Sequence, residues 1–373
     1  MINRDKIRVL HTEWSDGWGG QEIRIINEMK ALREEGISVF LACRKSSIIH
    51  QKAIENKISV FILPFKGSAD IFTLIALIKI IKKHFINIVN THSGKDTWVG
   101  GFAAKLAGVK FIRTRHLSNK INTSRFNFIN ELADFIITTG EIIKADMVLN
   151  NRIDAKKIQS IPTGVDSDLF DPQLYDRDKS RLKYQLGAEE IVIGIVAVLR
   201  SSKRHDNFLK IARQLKLEFP EKKLRFLIVG EGPMREQVED LIDKLSLSKD
   251  VRMLGHIENI PELMSCLDVF LFTADRNEGV PQVLMQSLLM NVKTVSSNDG
   301  STADLYNENN FLISDPSFEA LYQNTKMLIN NFNKTFLLGE SRDYIVDSFS
   351  QKVATKKTLN IYKKLIETDA QNI

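Results

Sequence analysis

Apolar runs of strand length recur along the whole chain, with helix-period patterns between most of them. No other feature narrows the possible folds as much. Strands that alternate with helices pair in parallel, and helices then cover both faces of the sheet. The runs lie at residues 6–11, 38–43, 60–63, 87–91, 110–113, 135–139 and 157–161. They resume at 191–199, 226–229, 251–254, 269–272 and 292–296. A chain of 373 residues is too long for one ordinary domain and suits two of about 150–200 residues each. In such folds binding residues collect in the loops that follow the strands.

Residues 268–299 form the most informative of these units. An apolar run at 269–272 is followed by a polar turn, Asp275-Arg276-Asn277-Glu278-Gly279. Pro281 stands where a first helical position favours proline. A helix over 282–289 follows, with Asn291 as a left-handed cap and a β-branched run at 292–296. A helix N-terminus at the end of a parallel strand is a ready anion site. Glu278 sits at its mouth, and Gln282 and Gln286, four apart, line one face. A carboxylate there would repel a phosphate but could accept hydrogen bonds from the hydroxyls of a sugar.

Glu278-Gly279-Val280-Pro281 with a polar residue at 286 resembles the E-x7-E signature of retaining glycosyltransferases of family 4. The resemblance implies α/β architecture of the GT-B type: two Rossmann-like domains whose parallel sheets face a central cleft. It implies domains at 1–165 and 166–350, with the helix near 351–373 returning to the first. Ile161-Pro162-Thr163-Gly164-Val165-Asp166 is similar to the family's interdomain stretch, and the polar segment to about Gly187 reads as lead-in. The family's second glutamate is Gln286 here, which can still bond a ribose diol. Gly279, Val280, Pro281, Gln282 and Val283 fall in the donor loop and helix start.

Other stretches match the family in order. Trp18-Gly19-Gly20-Gln21-Glu22 resembles its glycine-rich first loop, and Gly19 and Gly20 let backbone approach a ligand closely. The run at 191–199 delivers Arg200-Ser201-Ser202-Lys203-Arg204 to a strand end, where an arginine fork and a lysine point charge suit a diphosphate. The family's diphosphate-binding Arg and Lys map to Arg200 and Lys203. Arg204 departs from a glycine common there. Gly230-Glu231-Gly232-Pro233 is a typical βα turn, and Gly255-His256 matches the base-binding loop. Among seven histidines, His116 is the candidate for a hydrogen bond to the donor sugar. His92, Lys95 and Arg115 are candidates for the acceptor side.

The resemblance implies transfer of a sugar from a UDP- or GDP-linked donor to a glycan or lipid-linked glycan, in bacterial surface polysaccharide or lipopolysaccharide assembly. Glu278, Arg200, Lys203 and His116 are the expected catalytic residues. No cofactor and no metal are expected, since fixed cations and helix amides can stabilise the leaving diphosphate. Two rivals remain: an epimerase or phosphorylase on the same fold, and a non-catalytic sugar-nucleotide-binding partner.

Charge narrows the partners. Residues 1–165 carry 25 basic and 15 acidic side chains, a surplus of 10, whereas 166–373 carry 27 and 31. No basic stripe interleaves with aromatics, so an anionic membrane surface is a better expectation than nucleic acid. The segment 71–85 sets apolar residues 71, 74, 75, 78 and 81 on one helical face, with Lys79, Lys82 and Lys83 at its far end. It is read as core packing or as a surface helix leaning on lipid. The N-terminus has no apolar leader and no segment is long enough to span a bilayer, so a cytoplasmic, peripheral location is expected. Cys43 and Cys266 read as buried free thiols.

Overall fold

The computed structural model describes residues 7–116, 121, 128–275, 279–307, 310–332 and 338–370. These divide into two compact units, residues 1–164 with 351–373, and residues 165–350.

The first unit alternates strand and helix: β1 (Arg8–Glu13), α1 (Gly20–Glu34), β2 (Ser38–Cys43), α2 (Ile48–Glu55), β3 (Ser59–Ile62), α3 (Ile71–Lys83), β4 (Ile88–Thr91), α4 (Gly94–Ala107), β5 (Lys110–Arg115), β6 (Phe135–Thr138), α5 (Glu141–Leu149) and β7 (Ile158–Ser160). The strands form one seven-stranded parallel sheet in the order β3-β2-β1-β4-β5-β6-β7. Neighbouring residues point to opposite faces. Val9 therefore joins a core with Ile25, Met29 and Leu41, while Leu10 joins another with Leu77, Ile81 and Phe111.

The second unit holds α6 (Arg177–Lys183), β8 (Ile191–Val196), α7 (His205–Glu218), β9 (Leu224–Val229), α8 (Arg235–Lys244), β10 (Val251–Gly255), α9 (Ile260–Ser265), β11 (Val269–Phe272), α10 (Gln282–Leu289), β12 (Lys293–Ser297), β13 (Leu312–Ser314), α11 (Phe318–Asn330) and α12 (Leu338–Phe349). Its six-stranded sheet runs β10-β9-β8-β11-β12-β13, again parallel. Both sheets reverse strand order once, between β1 and β4 and between β8 and β11, and ligands of such sheets bind at that point.

The last helix, α13 (Gln351–Ala370), packs on the first unit. Its Tyr362 is fully buried and accepts from Asn90 Nδ2 at 3.2 Å. Arg24, buried on α1, donates to Ile161 O at 2.8 Å and Thr163 Oγ1 at 3.2 Å, which fixes the chain as it leaves the sheet. Gly164 is required beside them: a Cβ there would lie 2.6 Å from Gln351 Cα.

Several expectations change. The run at 191–199 leaves the sheet after Val196, because Ala197 and Leu199 bond instead along residues 229–231, at 2.9 and 3.0 Å. Gly230 permits this: its φ is +136° and a Cβ would meet Ala197 O at 2.0 Å. Pro281 caps α10 rather than opening it; its carbonyl accepts from Leu284 and Met285. Asn291, at φ 56°, ends α10 as expected, in a Schellman pattern with Asn291 N to Leu288 O and Val292 N to Ser287 O. The polar lead-in contains α6, capped by Asp176 and held by Arg177 and Arg181 on Asp268 at 2.5 and 3.4 Å. β13 was not anticipated, being three residues long.

The buried face of α3 is Thr73, Leu77 and Ile81, not the expected 71-74-75-78-81 stripe. The helix is apolar nearly all round, so periodicity does not choose its face. Asp70 does: its carboxylate accepts from Thr73 N and Thr73 Oγ1 at 3.1 and 2.7 Å and turns that side inward. Ile71 and Phe72 are left 65% and 81% exposed, along with Ile75, Lys79, Lys82 and Lys83.

Candidate functional site

In the second unit the turn after β8 is tied to the loop after β11. Thr273 Oγ1 donates to Lys203 O and Arg204 O at 2.8 and 3.1 Å, and Asp275 N donates to Ser202 O at 3.0 Å. Arg204 occupies a left-handed conformation, φ 50° and ψ 48°. A residue with a Cβ is strained there by about 1–2 kcal/mol. Its guanidinium offsets that by bonding Asp206 at 2.8 Å and Asp275 at 2.6 Å. This accounts for the departure from glycine: the position needs positive φ, and ion pairs hold an arginine in it.

Arg200 is exposed, and its side chain makes no hydrogen bond or ion pair among the described residues. It lines a cavity of about 440 Å³ with Ser201, Arg204, Met234, Gln237 and Asp275. Lys203 is half-buried, its ammonium 5.4 Å from the centre of the Phe272 ring. His205 behind them is buried, and burial lowers its pKa to about 4, so it is neutral.

Glu278 lies outside the described residues, as do Arg276 and Asn277. Gly279 is half-buried, and Val280 and Pro281 are buried at the start of α10. The first N–H groups of a helix lack partners within it, so Gln282 and Val283 present donors at this end. The Gln282 and Gln286 side chains are half-buried, one turn apart. His256 is exposed just past Gly255, whose carbonyl accepts from Gly230 N at 2.8 Å.

In the first unit the reversal point carries a different cluster. His11 and Glu13 lie in the last half of β1, His92 follows β4, and Arg113 to Arg115 end β5 with His116 next after it. His11 Nδ1 lies 2.9 Å from His92 Nε2, and His92 Nδ1 lies 3.0 Å from His116 Nε2. Three imidazoles thus form a row across three strands. Burial lowers all three pKa values, His11 to about 3. Neighbouring cations, Arg113 and Arg24 among them, lower His92 and His116 further. All three are neutral.

Asp96 anchors the same edge from the first turn of α4. It accepts from Thr12 Oγ1 at 2.6 Å, His92 N at 3.0 Å and Ser93 N at 2.9 Å. Glu13, also buried, accepts from Gln21 Nε2 at 2.5 Å and Ser15 N at 2.8 Å. Burial, and then the charge of Asp96, push its pKa up to about 8. Arg113 is 4% exposed, and its Nε and Nη1 have no hydrogen-bond partner among the described residues.

Gly19 and Gly20 stand exposed at the start of α1, where Gly19 N donates to Glu22 Oε2 at 2.8 Å and a Cβ at Gly20 would meet nothing within 4 Å. Lys95 is exposed, 3.9 Å over the Trp14 ring. Arg115 is half-buried at the end of β5. His92 is 1% exposed with both ring nitrogens engaged, so it has no free edge for an acceptor, contrary to expectation. Sequence reasoning missed His11 and Glu13 and gave no role to Asp96 and Arg113, although both fall in stretches that follow or end strands. His11, Glu13 and Arg113 lie toward strand ends and Asp96 in the first turn of the helix after one, which was the available signal.

Two family descriptions match this arrangement: "Glycosyltransferase Family 4" over residues 18–169 and "Glycosyl transferases group 1" over residues 176–340. The chain belongs to the GT-B glycosyltransferases. Among relatives, the Escherichia coli UDP-Gal:alpha-D-GlcNAc-diphosphoundecaprenol alpha-1,3-galactosyltransferase is 23% identical over 380 residues, covering 97% of this chain and 98% of the relative. A glycosyltransferase from Rickettsia africae superposes with a TM-score of 0.89 at 22% identity, covering 97% of this chain and 99% of that one. Anabaena HepE in complex with UDP superposes at 0.83 and 18% identity, covering 96% and 100%. No helix among the described residues is long and apolar enough to cross a membrane.

Proposed function

We propose that this glycosyltransferase moves a sugar from a UDP- or GDP-linked donor to a glycan or lipid-linked glycan in bacterial surface polysaccharide or lipopolysaccharide assembly, with retention of anomeric configuration. The observation that carries the reading is the second unit's reversal point. There the loops after β8 and β11 are bonded to each other, and the Arg200 side chain has no partner among the described residues. A diphosphate takes such a cation together with helix N–H donors. The UDP held by the Anabaena protein and the donor and acceptor in the Escherichia coli relative's name support the choice of substrates.

Arg200, Lys203 and the N-terminal amides of α10 stabilise the leaving diphosphate as charge develops, with no metal required. Gln286 bonds the ribose, the Gly255-His256 loop holds the base, and Gly19 and Gly20 allow close approach at the start of α1. Glu278 and His116 hydrogen-bond the transferred sugar. Lys95 and Arg115 are the acceptor-side residues. The exposed Ile71, Phe72 and Ile75 of α3, followed by exposed Lys79, Lys82 and Lys83, suit reversible docking on an anionic membrane.

Thermal melts with a panel of UDP- and GDP-sugars test the donor, since a ligand of the folded state alone raises stability by mass action. One class should raise the melting temperature, and acceptor should then trigger nucleotide release. No shift with any member would remove the reading. Turnover without acceptor would favour an epimerase or phosphorylase. Sedimentation with anionic but not neutral vesicles, lost on reversing the three lysines, tests the membrane contact.

A further inference from the structure

The row His11–His92–His116 contains more information than its positions. Each imidazole in it is neutral and so carries one proton on one of its two nitrogens. The two N···N contacts, 2.9 and 3.0 Å, each need one ring to donate and the other to accept. His11 and His92 lie with their planes only 10° apart and their centroids at 5.1 Å, the arrangement of an in-plane bond rather than a face-to-face stack. Choosing the proton on one ring therefore chooses it on all three, and only two orders are possible.

The inner end of the row decides between them. His11 is fully buried, and its Nε2 has no hydrogen-bond partner among the described residues. If protons pointed inward, from His116 to His92 to His11, that nitrogen would carry a buried N–H with no acceptor. Unpaired buried N–H groups are rare and costly, whereas a bare nitrogen there leaves only an unused lone pair. Protons that point outward avoid the cost. His11 Nδ1–H then donates to His92 Nε2, and His92 Nδ1–H donates to His116 Nε2. The third proton falls on His116 Nδ1. His116 is half-buried, the one member of the row that is not fully enclosed, and that nitrogen has no partner among the described residues.

We infer that His11 and His92 are positioning residues that fix His116 in its Nδ1–H tautomer, making it an obligatory hydrogen-bond donor toward a ligand oxygen. The matching ligand chemistry is an oxygen with a free lone pair, a sugar hydroxyl or a phosphoryl oxygen. His116 in this state does not take a proton from an acceptor hydroxyl. The tautomer follows from the row alone. Its use on the transferred sugar rests on the function proposed above.

Nitrogen-15 NMR of the imidazoles in the intact, ligand-free protein near neutral pH reads the tautomers directly. His116 should show a protonated Nδ1 and a bare Nε2, and His92 the same. A protonated Nε2 on His116, or a doubly protonated ring, would overturn the inference. Two variants separate positioning from packing. An asparagine amide reaches where Nδ1 lies and a glutamine amide where Nε2 lies. His92→Asn should therefore keep the donor to His116 Nε2, its tautomer and the KM for the nucleotide sugar. His92→Gln, closer in size to histidine, should release the tautomer and raise KM by about tenfold, the worth of one hydrogen bond, with kcat less affected. Equal behaviour of the two folded variants, or the reverse order, would overturn the positioning role. The expected tautomer in a protein that binds no nucleotide sugar would remove the proposed function and leave the row standing.

Discussion

The basic turn of the second unit and the imidazole row of the first occupy equivalent places, the carboxyl edge of a parallel sheet where strand order reverses, yet they are built in opposite ways. The turn comes from five consecutive residues. It is charged and open, held by ion pairs from Arg204 to Asp206 and Asp275. The row comes from residues 11, 92 and 116, in or just past three strands; it is neutral and, but for His116, enclosed. The difference teaches how charge is used in each. Arg200 offers an exposed charge, whereas the three imidazoles are themselves neutral, so hydrogen-bond direction, not charge, is what the row offers.

The largest effect should come from the turn. Arg200→Ala or Lys203→Ala should each lower steady-state turnover by about a hundredfold, the usual loss for a transition-state charge contact. Arg200→Ala should melt as wild type does, since its side chain has no partner to lose among the described residues. Wild-type turnover in both variants would erase the contrast with the row.

Next comes the pH response of the buried edge. Glu13 is held protonated in the fold up to about pH 8, while in the unfolded chain it ionises near 4.5. The folded state thus binds more protons between these values, and stability falls as pH rises through them. The histidines act oppositely: His11 stays neutral down to about pH 3, whereas an unfolded histidine gains a proton below 6.5, so stability is lost on acidification. Glu13→Gln, which mimics the protonated acid, should flatten the slope of the urea midpoint above about pH 6.5, where the histidines no longer titrate, and leave the slope below about pH 4.5 unchanged. An unaltered alkaline slope would show that Glu13 is ionised.

The smallest effect concerns Arg204. Arg204→Gly relieves about 1–2 kcal/mol of left-handed strain and forfeits partly exposed ion pairs worth up to about 1 kcal/mol each. The two nearly cancel, so its urea midpoint should stay close to wild type, and Arg204→Ala, which keeps the strain and loses the pairs, should be the less stable. Equal loss in both variants would mean that the ion pairs alone hold the turn.

What could be read from the sequence follows the same contrast. Alternating apolar runs specified both parallel sheets, because a buried parallel strand must be apolar on both faces. The 200–204 turn was legible because its residues are adjacent. His116 was picked out from the resemblance, but nothing in sequence order joins it to His11, 105 residues earlier by number; only the β1-β4-β5 adjacency does that. Asp96 fell in a suggestive stretch but was given no role, because sequence order does not show that it caps α4 and bonds Thr12 of β1 at once. The face of α3 was misjudged because one hydrogen-bonded pair, Asp70 and Thr73, outweighed a pattern of apolar residues that is almost uniform around the helix.

The claim that the second unit's turn holds a nucleoside diphosphate is tested most directly by calorimetric affinities for a nucleoside diphosphate and its monophosphate, in wild type and in the Arg200→Ala/Lys203→Ala double variant. The wild type should prefer the diphosphate, and the double variant should lose that preference while its monophosphate affinity changes much less. An unchanged preference, or equal losses for both nucleotides, would contradict it.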